Sequence, residues 1–149
     1  MKKAYKLFFL LTLLFAAAAL FGADHPNFTG KWKLNVQRSE TSSSGVTELL
    51  IDVDHTDPVF KYTVKGMAGG QQIQESESFT TDGKPSRGSQ GITVTASWDG
   101  PALVAVGTAG DGSMVFVSRL TLSEDGKTIA RVYTQKDDPQ QHHEIYEKQ

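Results

Sequence analysis

The stretch Ile92–Gly100, ITVTASWDG, alternates from Ile92 to Trp98 and then stops on an Asp-Gly pair. In an extended chain Ile92, Val94, Ala96 and Trp98 share one face, and Thr93, Thr95 and Ser97 share the other. A period of two is the mark of a half-buried β-strand. Asp-Gly supplies the positive φ that a tight hairpin turn needs. Three more such pairs follow the same logic: Asp82-Gly83, Asp111-Gly112 and Asp125-Gly126.

The pattern spreads outward from this stretch. MVFVSRLTL puts Met114, Phe116, Leu120 and Leu122 together. VFKYTVK groups Phe60, Tyr62 and Val64 and sends Lys61 and Lys65 outward, while ELLIDVD groups Leu49, Ile51 and Val53. Strands are predicted at 28–35, 46–54, 59–65, 71–80, 91–98, 102–108, 113–122, 128–136 and 142–147. A short extra strand is predicted within 84–90, interrupted by Pro85. No run after Ala23 carries a helical stripe. The expected fold is all-β: an antiparallel up-and-down meander, closed into a barrel of about 8–10 strands because open edges invite aggregation. Closure pairs the first strand with the last.

The N-terminus reads differently. Lys2, Lys3 and Lys6 precede an uncharged apolar run, Leu7–Phe21, with small residues at Ala17–Ala19 and Gly22. This is the pattern of a secretory signal peptide. The run is shorter than the roughly 18 residues of a spanning helix. The expected organisation is therefore a signal peptide over 1–23 and one barrel domain over 24–149. The bacterial look of the segment points to a periplasmic or secreted location.

The 149 residues carry 15 basic and 17 acidic side chains. Three of the lysines lie in the export segment, which leaves 12 against 17. An acidic domain does not suit a nucleic-acid groove. There is no cysteine, so no disulfide framework and no thiol chemistry. No phosphate loop, nucleophile elbow or paired-histidine zinc motif occurs, and no cofactor or metal is expected. DDPQQHH reads as a solvated hairpin with Pro139 in its turn, because adjacent His142 and His143 point opposite ways. Asp52, Asp54 and His55 read as the outer face of a strand, with Asp57-Pro58 as turn chemistry.

The segment FTGKWKLN, Phe28–Asn35, resembles the Gly-x-Trp opening of the lipocalin and fatty-acid-binding protein superfamily, here Gly30-Lys31-Trp32. It also resembles small exported bacterial proteins of lipocalin-like type. The resemblance implies that Gly30 and Trp32 form a structural plug across the closed end of the barrel. It implies too that a late-strand arginine, Arg131, lies over the indole. Arg131-Val132-Tyr133 is similar to the Arg-x-Tyr pair with which fatty-acid-binding proteins hold a ligand carboxylate. Here the pair lies one strand before the end, and Val36–Gly45 is too short and serine-rich for their helical lid.

In QIQESESF, Glu75 and Glu77 line the interior if Ile73 and Phe79 face inward. The preference of carboxylates for water favours the reverse, with Gln74, Ser76, Ser78 and Thr80 facing a wet cavity. The expected ligand-contacting set is Arg131, Tyr133, Glu77, Glu75, Phe60, Tyr62, Trp98 and Phe116. The leading functional reading is an exported, monomeric, lipocalin-like protein that binds a small hydrophobic or amphipathic molecule in its barrel and is not an enzyme. The alternative is a structural or interaction protein with a filled barrel. An enzyme using Glu75, Glu77, Arg131 and Tyr133 is the third reading.

Overall fold

The computed structural model describes residues 24–41 and 45–149. The signal-peptide reading of 1–23 lies outside the described residues. Ten strands follow: β1 (Gly30–Leu34), β2 (Val46–Thr56), β3 (Val59–Ala68), β4 (Gln71–Thr80), β5 (Pro85–Arg87), β6 (Thr93–Asp99), β7 (Ala102–Thr108), β8 (Met114–Leu122), β9 (Thr128–Gln135) and β10 (Asp138–Lys148). All neighbours pair antiparallel, in the order β4-β3-β2-β1-β10-β9-β8-β7-β6-β5. β1 zips onto β10, with Trp32 opposite Lys148 and Leu34 opposite Tyr146, as closure requires.

The four Asp-Gly glycines all adopt positive φ, from 58° to 81°. Three of the pairs close the β6–β7, β7–β8 and β8–β9 hairpins. Asp82-Gly83 does not close a hairpin: Gly83 N–H donates to Ala96 O at 2.8 Å, which sends the chain past β4 into β5. β4 and β5 share no ladder. Side chains bridge this seam, where Thr80 N–H donates to Ser86 Oγ at 3.0 Å and Ser89 N–H to Glu77 Oε1 at 3.0 Å. The cylinder is therefore nearly closed. Polar residues on β4 and the brevity of β5, with Pro85 at its head, blunt the two edges.

Strand ends 30, 56–60, 79–81, 98–103, 122–129 and 148 meet at one rim, and this rim is sealed. Phe28, Trp32 and Leu103 are the most completely buried large side chains. Phe60, Phe79, Leu34, Val53, Ile129 and Tyr146 complete the packed base. Trp32 Nε1–H donates to Phe28 O at 2.9 Å, so the plug satisfies its polar atom by holding the segment ahead of β1. The cation near its ring is Lys148, with Nζ 5.3 Å from the centroid, not Arg131. β10 lies directly beside β1, whereas Arg131 is on β9, one strand further away. Gly30, at φ +147°, makes room for this: a Cβ there would sit 2.9 Å from Lys148 Cε.

Two other readings change. Pro139 lies inside β10, not in the turn; the register of β10 on β9 slips between Asp138 and His142, which accommodates the missing N–H. His55 shares the inner face with Val53 and is 3% exposed, whereas Asp52 and Asp54 are exposed as expected.

Candidate ligand-binding site

Above the packed base the inner faces of β8, β9 and β10 form a polar wall. Register places Leu120, Arg131 and Glu144 in one row, and Ser118, Tyr133 and His142 in the next. Arg131 Nη1–H donates to Glu144 Oε2 at 2.9 Å, and its Nε–H donates to Ser118 Oγ at 3.0 Å. Tyr146 O–H donates to the same Glu144 oxygen at 2.7 Å. The Arg131 guanidinium lies over the Tyr133 ring, 4.1 Å from its centroid. Glu144 and Tyr133 are both buried.

Burial alone would favour a neutral Arg131. The Glu144 carboxylate and the Tyr146 and Tyr133 oxygens offset this and hold its pKa above the ordinary value. Burial pushes the Tyr146 phenol up, and the Glu144 charge pushes it further. Burial also raises Tyr62; Arg131 opposes that shift, while Glu77 and Glu75 add to it. Tyr62 thus lies within electrostatic reach of all three charges.

Both glutamates of β4 occupy inward register. Phe79 pairs with Phe60, Glu77 with Tyr62 and Glu75 with Val64. Phe60 and Phe79 stack at 5.0 Å, and Tyr62 meets each edge-on. Ser76 and Ser78 face out, which reverses the favoured sequence reading for this strand. The packing of Phe79 into the base decides the face, and alternation carries the acids in with it. Arg131 and Tyr133 come together, but as a stack rather than as two free heads. Phe60 belongs to the floor. Trp98 belongs to the sealed rim, where His25 stacks on it at 4.3 Å. Phe116 folds its ring over Gly107, where a Cβ would clash at 2.2 Å.

Sequence reasoning missed Glu144 and Ser118. The signal was alternation: Glu144 falls between His142 and Tyr146, and Ser118 between Phe116 and Leu120.

The sealed rim holds a second polar group. Asp57 accepts from the Thr81 hydroxyl, from Trp98 Nε1–H at 3.3 Å, and pairs with His25 Nδ1 at 3.2 Å. His55 Nδ1 accepts from Phe28 N–H at 3.3 Å. Its Nε2 is buried with no hydrogen-bond partner, 3.8 Å from Asp57 Oδ1. Burial lowers the His55 pKa from 6.5, partly countered by Asp57. The Thr81 hydrogen bond lowers Asp57 from 3.8. Both groups bind protons more readily in the unfolded chain, so stability rises with pH. The His55 contribution is full above its ordinary value and fades as pH falls through it; the Asp57 contribution fades below 3.8. Urea midpoints are expected to fall between pH 7.5 and pH 5, and His55→Gln is expected to flatten that fall. An unchanged slope in the variant would remove His55 as its source.

An open groove of about 760 Å³ runs over Asp52, Asp54, Lys61, Thr63, Ser76 and Arg87 and reaches Tyr62, Glu77 and Ser89 at the β4–β5 seam. It is polar and wraps from the solvent side of β2–β4 round the edge of β4.

Comparison with family models and with curated proteins finds no match. Among solved structures, the fold is similar to a single-residue variant of the fluorescent protein UnaG. That match has a TM-score of 0.60 and 15% identity, and covers 82% of this chain and 96% of the other. It is also similar to secretory abundant heat soluble protein 4 from Ramazzottius varieornatus. There the TM-score is 0.54 and the identity 13%, covering 82% of this chain and 94% of the other. At such identities the likeness concerns architecture alone. A ten-stranded meander with its first and last strands paired, stoppered at one end by Trp32, is a calycin-like fold.

Proposed function

We propose that this protein is an exported carrier that holds a small, partly apolar molecule in the upper half of its barrel. The observation that supports this most is the incomplete burial of inward-facing side chains there. Leu49, Tyr62, Val94, Phe116 and Leu120 pack against the core yet keep accessible surface. Arg131, in the middle of the wall, leaves 30% of its side chain accessible. Apolar walls with a few convergent polar groups are what small-molecule sites present. In this reading Tyr62 and Phe116 flank the guest, Phe60 forms its floor, and Arg131, Tyr133, Glu75 and Glu77 face its polar end. Trp98, with Trp32 and Gly30, keeps the opposite rim shut. Export rests on the segment 1–23, and N-terminal sequencing of the processed protein would test it.

Saturable binding of the neutral dye Nile red is expected, with a single site and emission shifted to the blue. Val94→Trp fills the accessible interior and is expected to weaken the dye roughly tenfold or more, about 1.4 kcal/mol, while the cooperative unfolding transition survives. A wild-type chain that ignores the dye and other apolar probes would instead favour the filled barrel with an interaction role.

A further inference from the structure

The charges on the inner wall do not suit an anion. Arg131 is the cation of the polar wall, and its charge is already taken. Glu144 accepts from it at 2.9 Å, Ser118 accepts its Nε–H at 3.0 Å, and the Tyr133 ring covers its face at 4.1 Å. A guest carboxylate seated on this guanidinium would have to compete with Glu144. That carboxylate is 4% exposed, so it would be left buried beside Tyr146 with its counter-charge shared. Removing a buried ion's partner is strongly unfavourable.

Two further carboxylates take inward register on the opposite wall. Glu77 faces Tyr62 across the β3–β4 ladder, and Glu75 faces Val64. Glu77 is held at the seam by Ser89 N–H, at 3.0 and 3.2 Å to its two oxygens. The Glu75 side chain makes no hydrogen bond or ion pair among the described residues. The other basic side chains near this level take outward register: Lys61 pairs with Ser78 and Arg87 with Thr93, both bordering the groove at the seam that Tyr62 and Glu77 reach from the inner side, and Arg119 pairs with Asp99 at 2.6 Å. His142 is engaged by Asp138 at 2.8 Å. Among the described residues the inward register thus sets one cation, Arg131, against three acids: Glu144 buried, Glu77 at the seam and Glu75 open to solvent. The faces of Tyr62 and Phe116, both partly accessible, add a surface that attracts cations.

We infer that the barrel selects a guest with a positively charged head, an organic ammonium on an apolar body, and disfavours a carboxylate of the same length. In this arrangement the Arg131–Glu144–Tyr146 group is a fixed part of the wall. Glu75 and Glu77 face the ammonium, and the apolar body lies along Leu49, Val94 and Leu120.

The inference rests on the proposed function, and one competition experiment separates the two. Nile red bound to the full barrel domain is displaced by three chain-matched amphiphiles below their micelle concentrations: dodecyltrimethylammonium, dodecan-1-ol and dodecanoate. The ammonium is expected to displace the dye at concentrations on the order of tenfold lower than the carboxylate, with the alcohol between them. In the double variant Glu75→Gln, Glu77→Gln that preference, read as the ratio of the ammonium and carboxylate displacement concentrations within the one variant, is expected to vanish. Glutamine keeps an oxygen for Ser89 N–H, so the seam stays bridged. A carboxylate that competes as well as the ammonium overturns the inference and leaves the carrier reading standing. So does a preference that survives in the double variant. Failure of the dye and of all three amphiphiles to bind overturns both.

Discussion

Glu144→Ala is expected to destabilise the protein by about 3–5 kcal/mol, the cost of breaking a buried ion pair from one side. The substitution strips Arg131 of its counter-charge and Tyr146 of its acceptor. Because 30% of the Arg131 side chain is accessible, water can relieve part of that loss, and the lower end of the range applies. Arg131→Met with Glu144→Leu removes both charges at similar volume. This double change is expected to restore the part of the stability owed to the unpaired charge, leaving about 1–3 kcal/mol for the Tyr146 hydroxyl, which still lacks its acceptor. Urea denaturation of Arg131→Met, of Glu144→Leu and of the two combined gives the coupling directly. A single-variant loss below about 1 kcal/mol would mean that the pair behaves as a surface ion pair, and the interior would then be wetter than the burial of Glu144 indicates.

Trp32→Ala is expected to cost about 3–5 kcal/mol, the range for removing a large aromatic from a core. Three losses coincide. The base loses its widest side chain, which is 1% exposed. The Phe28 carbonyl loses its donor. The Lys148 stem loses the ring beside it. Trp32→Phe separates these effects: most apolar contact remains, and the deficit is about 1–3 kcal/mol for the orphaned carbonyl and the reduced volume. The chain has two tryptophans, so in either variant Trp98 becomes the sole indole reporter. Its emission should shift to the red as the segment around His25 and Phe28 loosens. A Trp32→Ala protein with unchanged urea midpoint and unchanged Trp98 emission would show that the sealed rim does not depend on the plug.

Much of the architecture was legible because strands announce themselves locally. The alternation in 92–98 and 114–122 and the Asp-Gly pairs required no knowledge of neighbours, and the structure keeps the strands close to where they were expected. The site was less legible for a physical reason. Which face of QIQESESF turns inward depends on Phe79 reaching the base, a contact made with Phe60 across a hairpin. Propensity alone placed Glu77 in water. Glu144 was hidden for a related reason: a buried acid is tolerated only when its partner is in place, and Arg131 becomes its neighbour only through the β9–β10 register. The cation on Trp32 followed the same rule, since adjacency to β1 belongs to β10.

The seam between β4 and β5 marks where the cylinder begins and ends as a ribbon. Counted from the seam, the strands run β5 to β10 and then β1 to β4, each laddered to the next. A circularly permuted gene opened at Gly83, with β10 tethered to the segment ahead of β1, would encode the same ribbon in unbroken order. No rung would be severed by the cut, so this turn is the natural place to give the protein new ends.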